Sequence, residues 1–165
     1  MKPRKGHLAI TDRYPQFIRH QLVELGYLKS AHSETNNSVA FNVQPRKTGQ
    51  ILIGSSRQYD VEHGKADPAI VSQMMNRALE YLPGLGSISC IRVWTGFRPA
   101  TPDKLPLIGP WPEDPSLFLA TGHEGLGITT SLATAKLIRA QILGESSAIA
   151  QEPFLPSRSM VESHA

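Results

Sequence analysis

Between residues 99 and 115 the chain carries Pro99, Pro102, Pro106, Pro110, Pro112 and Pro115, and this run limits the architecture more than any other feature. Each proline fixes φ and removes a backbone donor, so the segment is expected to be extended, with room for only a brief strand near Leu107 and Ile108. Upstream, Lys2 to Ile10 reads as a short strand closed by Thr11-Asp12. Phe17, Ile18, His20, Gln21, Leu22 and Leu25 allow a short helix that Gly26 would end, and Ser30 to Ser38 reads as polar loop. Val39 to Gln44 and Gln50 to Ser55 flank the turn composition Pro45-Arg-Lys-Thr-Gly49, which predicts a β-hairpin. Asp67-Pro68 offers a helix cap and a preset first helical residue, after which Ile70, Met74, Ala78 and Tyr81 keep helical spacing, so a helix is expected from about Pro68 to Leu82. Ile88 to Trp94 reads as a further strand.

Downstream of the prolines, Leu117 to Thr121 reads as a short buried strand. Gly122-His-Glu-Gly-Leu-Gly127 follows, and then a helix whose apolar face is Ile128, Leu132, Ala135, Ile138 and Ile142, ended by Gly144. A helix start exposes unpaired amides and the positive end of its dipole, and glycines let that backbone approach an anion or an electron-rich ring. Glycine also serves in such connections merely for its permissive φ, and the motif alone leaves both readings open. It is not a dinucleotide fingerprint. The spacing of Gly122, Gly125 and Gly127 is G-x-x-G-x-G with no acidic residue about 20 positions on, and Gly84 and Gly86 have Ser89 where a third glycine belongs. Arg98 stands before Pro99, which holds it extended and aims its guanidinium. A planar fork so directed suits a carboxylate, and it equally suits a surface ion pair, with Asp103 as the candidate partner.

With 40% hydrophobic and 19% charged residues over 165 positions, the chain can bury a core within the usual single-domain range. Its formal charge of +3 is dispersed, and the one dense basic stretch, Lys2 to His7, is too short to track a phosphate backbone, which argues against nucleic acid. No stretch approaches membrane-spanning length, and Leu8-Ala-Ile10 stops too soon to be a signal peptide core. The single cysteine, Cys90, cannot form an internal disulfide, so the cytoplasm is the expected compartment, with peripheral attachment to the inner membrane left open. No metal site is expected, because His123-Glu124 has Gly127 where a second zinc-binding histidine would stand. Gly54-Ser55-Ser56 lacks the last glycine of a nucleophile elbow, which disfavours a serine hydrolase.

Three motifs in order, Trp94-Thr-Gly-Phe-Arg-Pro-Ala-Thr-Pro-Asp103, Leu105-Pro-Leu-Ile-Gly109 and Thr121-Gly-His-Glu-Gly-Leu-Gly-Ile-Thr129, resemble the closing segment of the D-amino-acid oxidase superfamily. Its members include glycine oxidase, D-amino-acid dehydrogenase and sarcosine oxidase. Lys2 to Asp12 and Phe41 to Ser56 look like the family's substrate-domain strands, and the resemblance covers most of residues 1 to 145. It implies a mixed α+β fold with an antiparallel-leaning substrate sheet, the carboxyl-terminal strand and helix of an FAD-binding domain, and the amino-terminal Rossmann part missing. The expected division is 1–95 substrate-binding portion, 96–145 return segment of the FAD-binding domain, and 146–165 a weakly ordered tail.

Residue by residue, Arg98 matches the arginine that binds the substrate carboxylate, and Gly125 the glycine whose carbonyl receives the substrate amine. Glu124, Gly125, Leu126, Gly127, Ile128 and Thr129 match the loop and helix start that contact the flavin. The implied cofactor is FAD, and the implied reaction is oxidation of the CH–NH bond of an amino acid or related amine to an imine, with no catalytic side chain required. The cysteine by which the sarcosine oxidases tether flavin would fall at Gly96, so covalent flavin by that route is not expected. Phe41 and Asn42 lie where the family's hairpin can face substrate, although alternating strand residues also serve plain packing. Arg57 and Gln58 could be pocket contacts or solvated ends. Without the missing half the chain is expected to be inactive alone, as a truncated non-catalytic fragment or as a subunit that completes its flavin site with a partner chain.

Overall fold

A computed structural model describes residues 1–25 and 37–158. The fold is mixed α+β, as expected. The chain divides into two compact units, one of Arg4–Phe97 and one of Met1–Pro3 with Arg98–Ala165.

The first unit is built on a five-stranded sheet whose strands are β1 (Lys2–Thr11), β2 (Leu22–Val23), β3 (Asn37–Pro45), β4 (Ile51–Gln58) and β5 (Cys90–Ala100), in the order β2-β3-β4-β1-β5. The pairs β1·β4, β2·β3 and β3·β4 are antiparallel. The hairpin of β3 and β4 turns where proline, lysine and glycine predicted it. Arg46 N donates to Gln50 O at 2.8 Å and Gly49 N to Arg46 O at 2.9 Å, with Gly49 at φ 86°, a conformation that favours glycine. Helix α1 (Pro68–Tyr81) begins as the sequence implies, with Asp67 Oδ1 accepting from Ala69 N at 2.9 Å and Ile70 N at 3.4 Å. Its Ile70, Met74 and Ala78 face is buried, and Met74 and Ala78 join Ala9, Phe41, Val43, Ile51, Ile53 and Leu85 in the core.

Residues 17–25 depart from expectation. They contain no helix; a turn at Pro15–Phe17 leads to β2, where Leu22 pairs with Val43 and Val23 with Asn42. Glu24 N then donates to Phe41 O at 3.1 Å. Pairing with β3 satisfies the backbone of Leu22 and Val23 where helical spacing gave only a local preference. The expected Gly26 stop and residues 30–36 of the polar loop lie outside the described residues, whereas Asn37 and Ser38 belong to β3.

β1 carries an unanticipated row of buried polar side chains: Lys5, His7 and Thr11 point inward together with Ala9. Each has a partner. Thr11 Oγ1 accepts from Ile51 N at 3.0 Å, and Lys5 Nζ donates to Lys65 O. His7 Nε2 accepts from Asp67 N at 3.0 Å, which places the proton on Nδ1, 2.8 Å from Ser56 Oγ. A buried neutral histidine thereby ties β1 to β4 and to the cap of α1.

In the second unit, β6 (Leu107–Trp111) pairs antiparallel with β7 (Asp114–Thr121), from Leu107 opposite Thr121 to Pro110 opposite Phe118. Helix α2 (Gly127–Leu143) packs on this pair and ends at Gly144, at φ 66°, where Glu145 N donates to Ala140 O at 2.9 Å. Two expectations change here. The buried residues of α2 are Leu137 and Ala140, while Ile128 and Leu132 of the expected inner face are 94% and 79% exposed. Leu117 of β7, expected to be buried, is also exposed.

The residues beyond Gly144 do not behave as a loose tail up to Arg158. A 3-10 turn at Glu152–Phe154 lies by β6. Arg158 then grips Asp103 through Nε (2.7 Å to Oδ2) and Nη2 (3.1 Å to Oδ1), and also donates to the carbonyls of Leu105, Pro106 and Leu155. No helix of the described residues is long and apolar enough to cross a membrane.

Candidate flavin and substrate loop

β5 extends well past Trp94, where the sequence suggested it would stop, and runs through Pro99 to Ala100. Its end carries Arg98, half-buried, into the second unit. Pro99 O accepts from Glu124 N at 3.0 Å, which fastens the glycine loop to the strand end bearing the guanidinium. A Cβ placed on Gly125 would lie 4.0 Å from Arg98 Cδ. The arginine and the glycine bend therefore sit side by side within one unit.

The glycines of this loop differ in what requires them. Gly122 is at φ 81°, and a Cβ there would come within 2.8 Å of Thr101 Cγ2; its role is conformational and steric. Neither Gly125 nor Gly127 has a positive φ, and a Cβ on either would meet nothing closer than 4.0 Å and 3.7 Å respectively. Neither glycine is demanded by the chain's own fold. Backbone left bare without an internal reason is suited to close approach by an external group. Glu124, at φ 51°, is the one side-chain-bearing residue of the loop in the left-handed region, a costly conformation held by its backbone bond to Pro99.

The start of α2 has no side-chain cap: Leu126 is its N-cap residue, with Thr130 N donating to Leu126 O at 2.9 Å. The first amides, at Gly127, Ile128 and Thr129, precede the first intrahelical bond and sit at the positive end of the helix dipole. Bare glycines beside an uncapped helix start and a guanidinium make a cradle that fits an electron-rich ring or anion. Glu124, Gly125, Leu126, Gly127, Ile128 and Thr129, with Arg98, are the residues that could hold such a group.

His123 was weighed in the sequence only as a zinc ligand, and the structure gives it a different part. Its Nε2 lies 2.9 Å from Thr134 Oγ1, which itself donates to Thr130 O, so the imidazole braces the loop against α2. Burial pushes its pKa below the ordinary histidine value. Asp103, the sequence candidate for pairing with Arg98, is instead held by Arg158. No sequence signal pointed to Arg158.

In the first unit Phe41 is core, stacked on Tyr81 with ring centroids 4.6 Å apart. Asn42 Oδ1 accepts from Gln21 Nε2 at 3.2 Å. Arg57 and Gln58, read as pocket contacts or solvated ends, are both buried, and Gln58 Nε2 donates to Asp67 Oδ2 at 3.2 Å. Among the described residues there is no group of three or more His, Cys, Asp or Glu placed to hold a metal ion.

The family described as FAD dependent oxidoreductase matches residues 1–141. The chain belongs to this family. The hydrogen cyanide synthase subunit HcnC of Pseudomonas aeruginosa is 29% identical over 161 residues, covering 96% of this chain and 34% of that protein. Glycine oxidase of the same organism is 31% identical over 113 residues, covering 68% of this chain and 31% of that enzyme. The crystal structure of glycine oxidase from Geobacillus kaustophilus superposes with a TM-score of 0.76 at 24% identity, over 96% of this chain and 39% of that one. The fold is thus a portion of the family's fold and its cofactor class is FAD. The chain spans about a third of the length of the curated relatives it matches.

Proposed function

We propose that this chain is the substrate-binding and flavin-loop portion of an enzyme that oxidises the CH–NH bond of an amino acid or related small amine. The observation that carries the reading is Arg98 beside an uncapped, bare glycine bend. In this reading Arg98 takes the substrate carboxylate through its planar fork, and the Gly125 carbonyl accepts from the substrate amine. The amides of Gly127 to Thr129 offer donors and a positive dipole end to negative charge on the ring. FAD, when bound, supplies the two-electron acceptor. Residues 1–95 would form the substrate-binding portion and 96–145 the return segment of the FAD-binding domain, a division supported by the boundary at Phe97 and Arg98. The flavin is held without a covalent tether of the sarcosine oxidase kind, since Gly96 offers no thiol at the matching position. The compartment we assign is the cytoplasm.

A specific observation favours function together with a further FAD-binding half. Ile128, Leu132, Ile142 and Leu143 of α2 are largely exposed, an apolar face that isolated domains seldom leave in water. An amino-terminal FAD-binding half, in the same polypeptide or in a partner chain, would cover it, and one relative is itself described as a subunit of a synthase. Flavin titration distinguishes the readings, with absorbance and fluorescence followed on the purified chain alone and on the chain co-expressed with such a half. Saturable binding only in the pair supports a shared site, and no binding in either arm removes the flavin role. In the reconstituted protein, Arg98→Leu should weaken binding of a carboxylate substrate by about 1.5–3 kcal/mol, the value of a charge-assisted bond. An unchanged constant would take Arg98 out of the site.

A further inference from the structure

We infer that the first unit carries an anion site of its own, at the tip of the β3–β4 hairpin, suited to a small ligand bearing two or more phosphoryl groups. The inference is independent of the flavin reading. A concavity of about 350 Å³ is lined by Pro15, Gln16, Ile18 and Arg19 from the β1–β2 connection and by Arg46, Lys47, Thr48 and Gly49 from the hairpin turn. Its volume is within the range of small-molecule sites.

Three features make this more than a solvated basic surface. First, the cations come from two separate segments to one hollow, and among the described residues no carboxylate lines it. Arg19, Arg46 and Lys47 form no ion pair or side-chain hydrogen bond among the described residues. Of the acids flanking the first segment, Asp12 accepts from Arg13 N at 2.7 Å and Glu24 accepts from Arg77 Nε at 2.8 Å. Like charges gathered without a counter-ion raise the local potential, and binding an anion relieves it. Second, the frame is fixed. Tyr14 N donates to Gly49 O at 2.8 Å, and a Cβ on Gly49 would sit 3.1 Å from Pro15 Cγ, so the backbones of the two segments that bear the cations meet in close contact. Third, the donor set is chemically selective. Two guanidinium forks and one ammonium provide several directed donors, which match tetrahedral phosphoryl oxygens better than a single point charge would, while the Thr48 hydroxyl donates to Gln50 Oε1 at 3.0 Å within the turn.

The test is titration of inorganic pyrophosphate, inorganic phosphate, citrate and chloride at matched ionic strength into the isotopically labelled chain, reading amide shifts at residues 16–19 and 46–49. The expected result is saturable shifts confined to those residues with pyrophosphate, weaker ones with phosphate, and none with chloride. The double variant Arg19→Gln/Arg46→Gln should bind pyrophosphate about tenfold more weakly or worse, one decade being the smallest loss expected for two charged contacts. Lys136→Gln, on α2, should bind as the parent does. Both arginines are exposed, and an unchanged melting temperature without ligand checks that the double variant is folded. Three results would overturn the site: shifts that never saturate and merely follow ionic strength, tighter binding of citrate than of pyrophosphate, or equal loss of binding in Lys136→Gln. Sedimentation with phosphatidylglycerol vesicles that pyrophosphate does not compete away would also overturn it, by assigning the cations to a membrane surface.

Discussion

Replacing Arg158 by methionine tests whether the residues after α2 hold the second unit together. The guanidinium makes two bonds to Asp103, at 2.7 and 3.1 Å, and three to the carbonyls of Pro106, Leu155 and Leu105, at 3.0, 3.2 and 2.8 Å. The side chains of Arg158 and Asp103 are only 10% and 21% exposed. Removing one partner of a fully buried pair costs about 3–5 kcal/mol because a charge is left unpaired. Here Asp103 keeps Leu105 N at 3.2 Å and some water, so the carboxylate can relax, and a loss of about 2–3 kcal/mol is expected. Methionine retains much of the apolar stem, so packing contributes little to the difference. Arg158→Lys should recover only a minor part, since an ammonium cannot reproduce the fork.

The assay is urea unfolding of parent, Arg158→Met, Asp103→Asn and the double variant, all in a Trp94→Phe background so that fluorescence reports Trp111 in β6. A coupling of at least about 1 kcal/mol is expected in the cycle. Acid provides an independent check. The Arg158 guanidinium beside Asp103 holds its carboxyl below the ordinary carboxylate range. A group whose folded pKa is depressed contributes stability that is present above its unfolded value, about 3.9, and is lost as pH falls through the folded pKa. The parent should therefore lose this increment below about pH 4 while Arg158→Met has little left to lose. If Arg158→Met unfolds within about 0.5 kcal/mol of the parent, as an ordinary surface substitution would, the clasp is not a structural element.

The glycine loop gives a contrast within a few residues. Gly122→Ala should lower stability by about 1 kcal/mol or more, from positive φ and the Thr101 contact, whereas Gly125→Ala and Gly127→Ala should fall within about 0.5 kcal/mol of the parent and weaken flavin binding in the reconstituted protein. Equal destabilisation at all three positions, by thermal melting, would remove the argument for a cradle. For His7, burial lowers the pKa first, Lys5 lowers it further and Asp67 partly offsets both. Its folded value being depressed, the unfolded chain takes up the proton first as pH falls below about 6.5. Stability should thus be full above that pH and decline beneath it, a slope that His7→Gln should flatten in denaturant midpoints taken between pH 5 and 7.5.

Local chemistry was legible where a residue's partner lies nearby in sequence. Asp67 and Pro68 announced the start of α1, Gly49 the hairpin and Gly144 the end of α2, because caps and turns are settled within a few residues. The second strand was not legible: Leu22 and Val23 look helical until β3 supplies the pairing that decides them. Arg158 and Asp103 stand 55 positions apart, and nothing in either neighbourhood signals the other. The buried polar row of β1 was hidden for a similar reason, since the strand pattern of Lys5 and His7 reads as outward until Lys65, Ser56 and Asp67 close over it.

The face of α2 separates two questions that periodicity tends to merge. Ile128, Leu132 and Ile142 were correctly read as one side of a helix, yet that side meets solvent, and the burial within the described residues falls on Leu137 and Ala140. Spacing reports that a face is apolar and not which polypeptide covers it. A helix with one packed side and one bare apolar side, in a chain spanning about a third of its relatives, has the pattern expected of an element made to lie between two layers. The same helix begins at the glycine bend beside Arg98. On the flavin role proposed for Gly127 to Thr129, covering that face and forming the flavin site are expected to be one event.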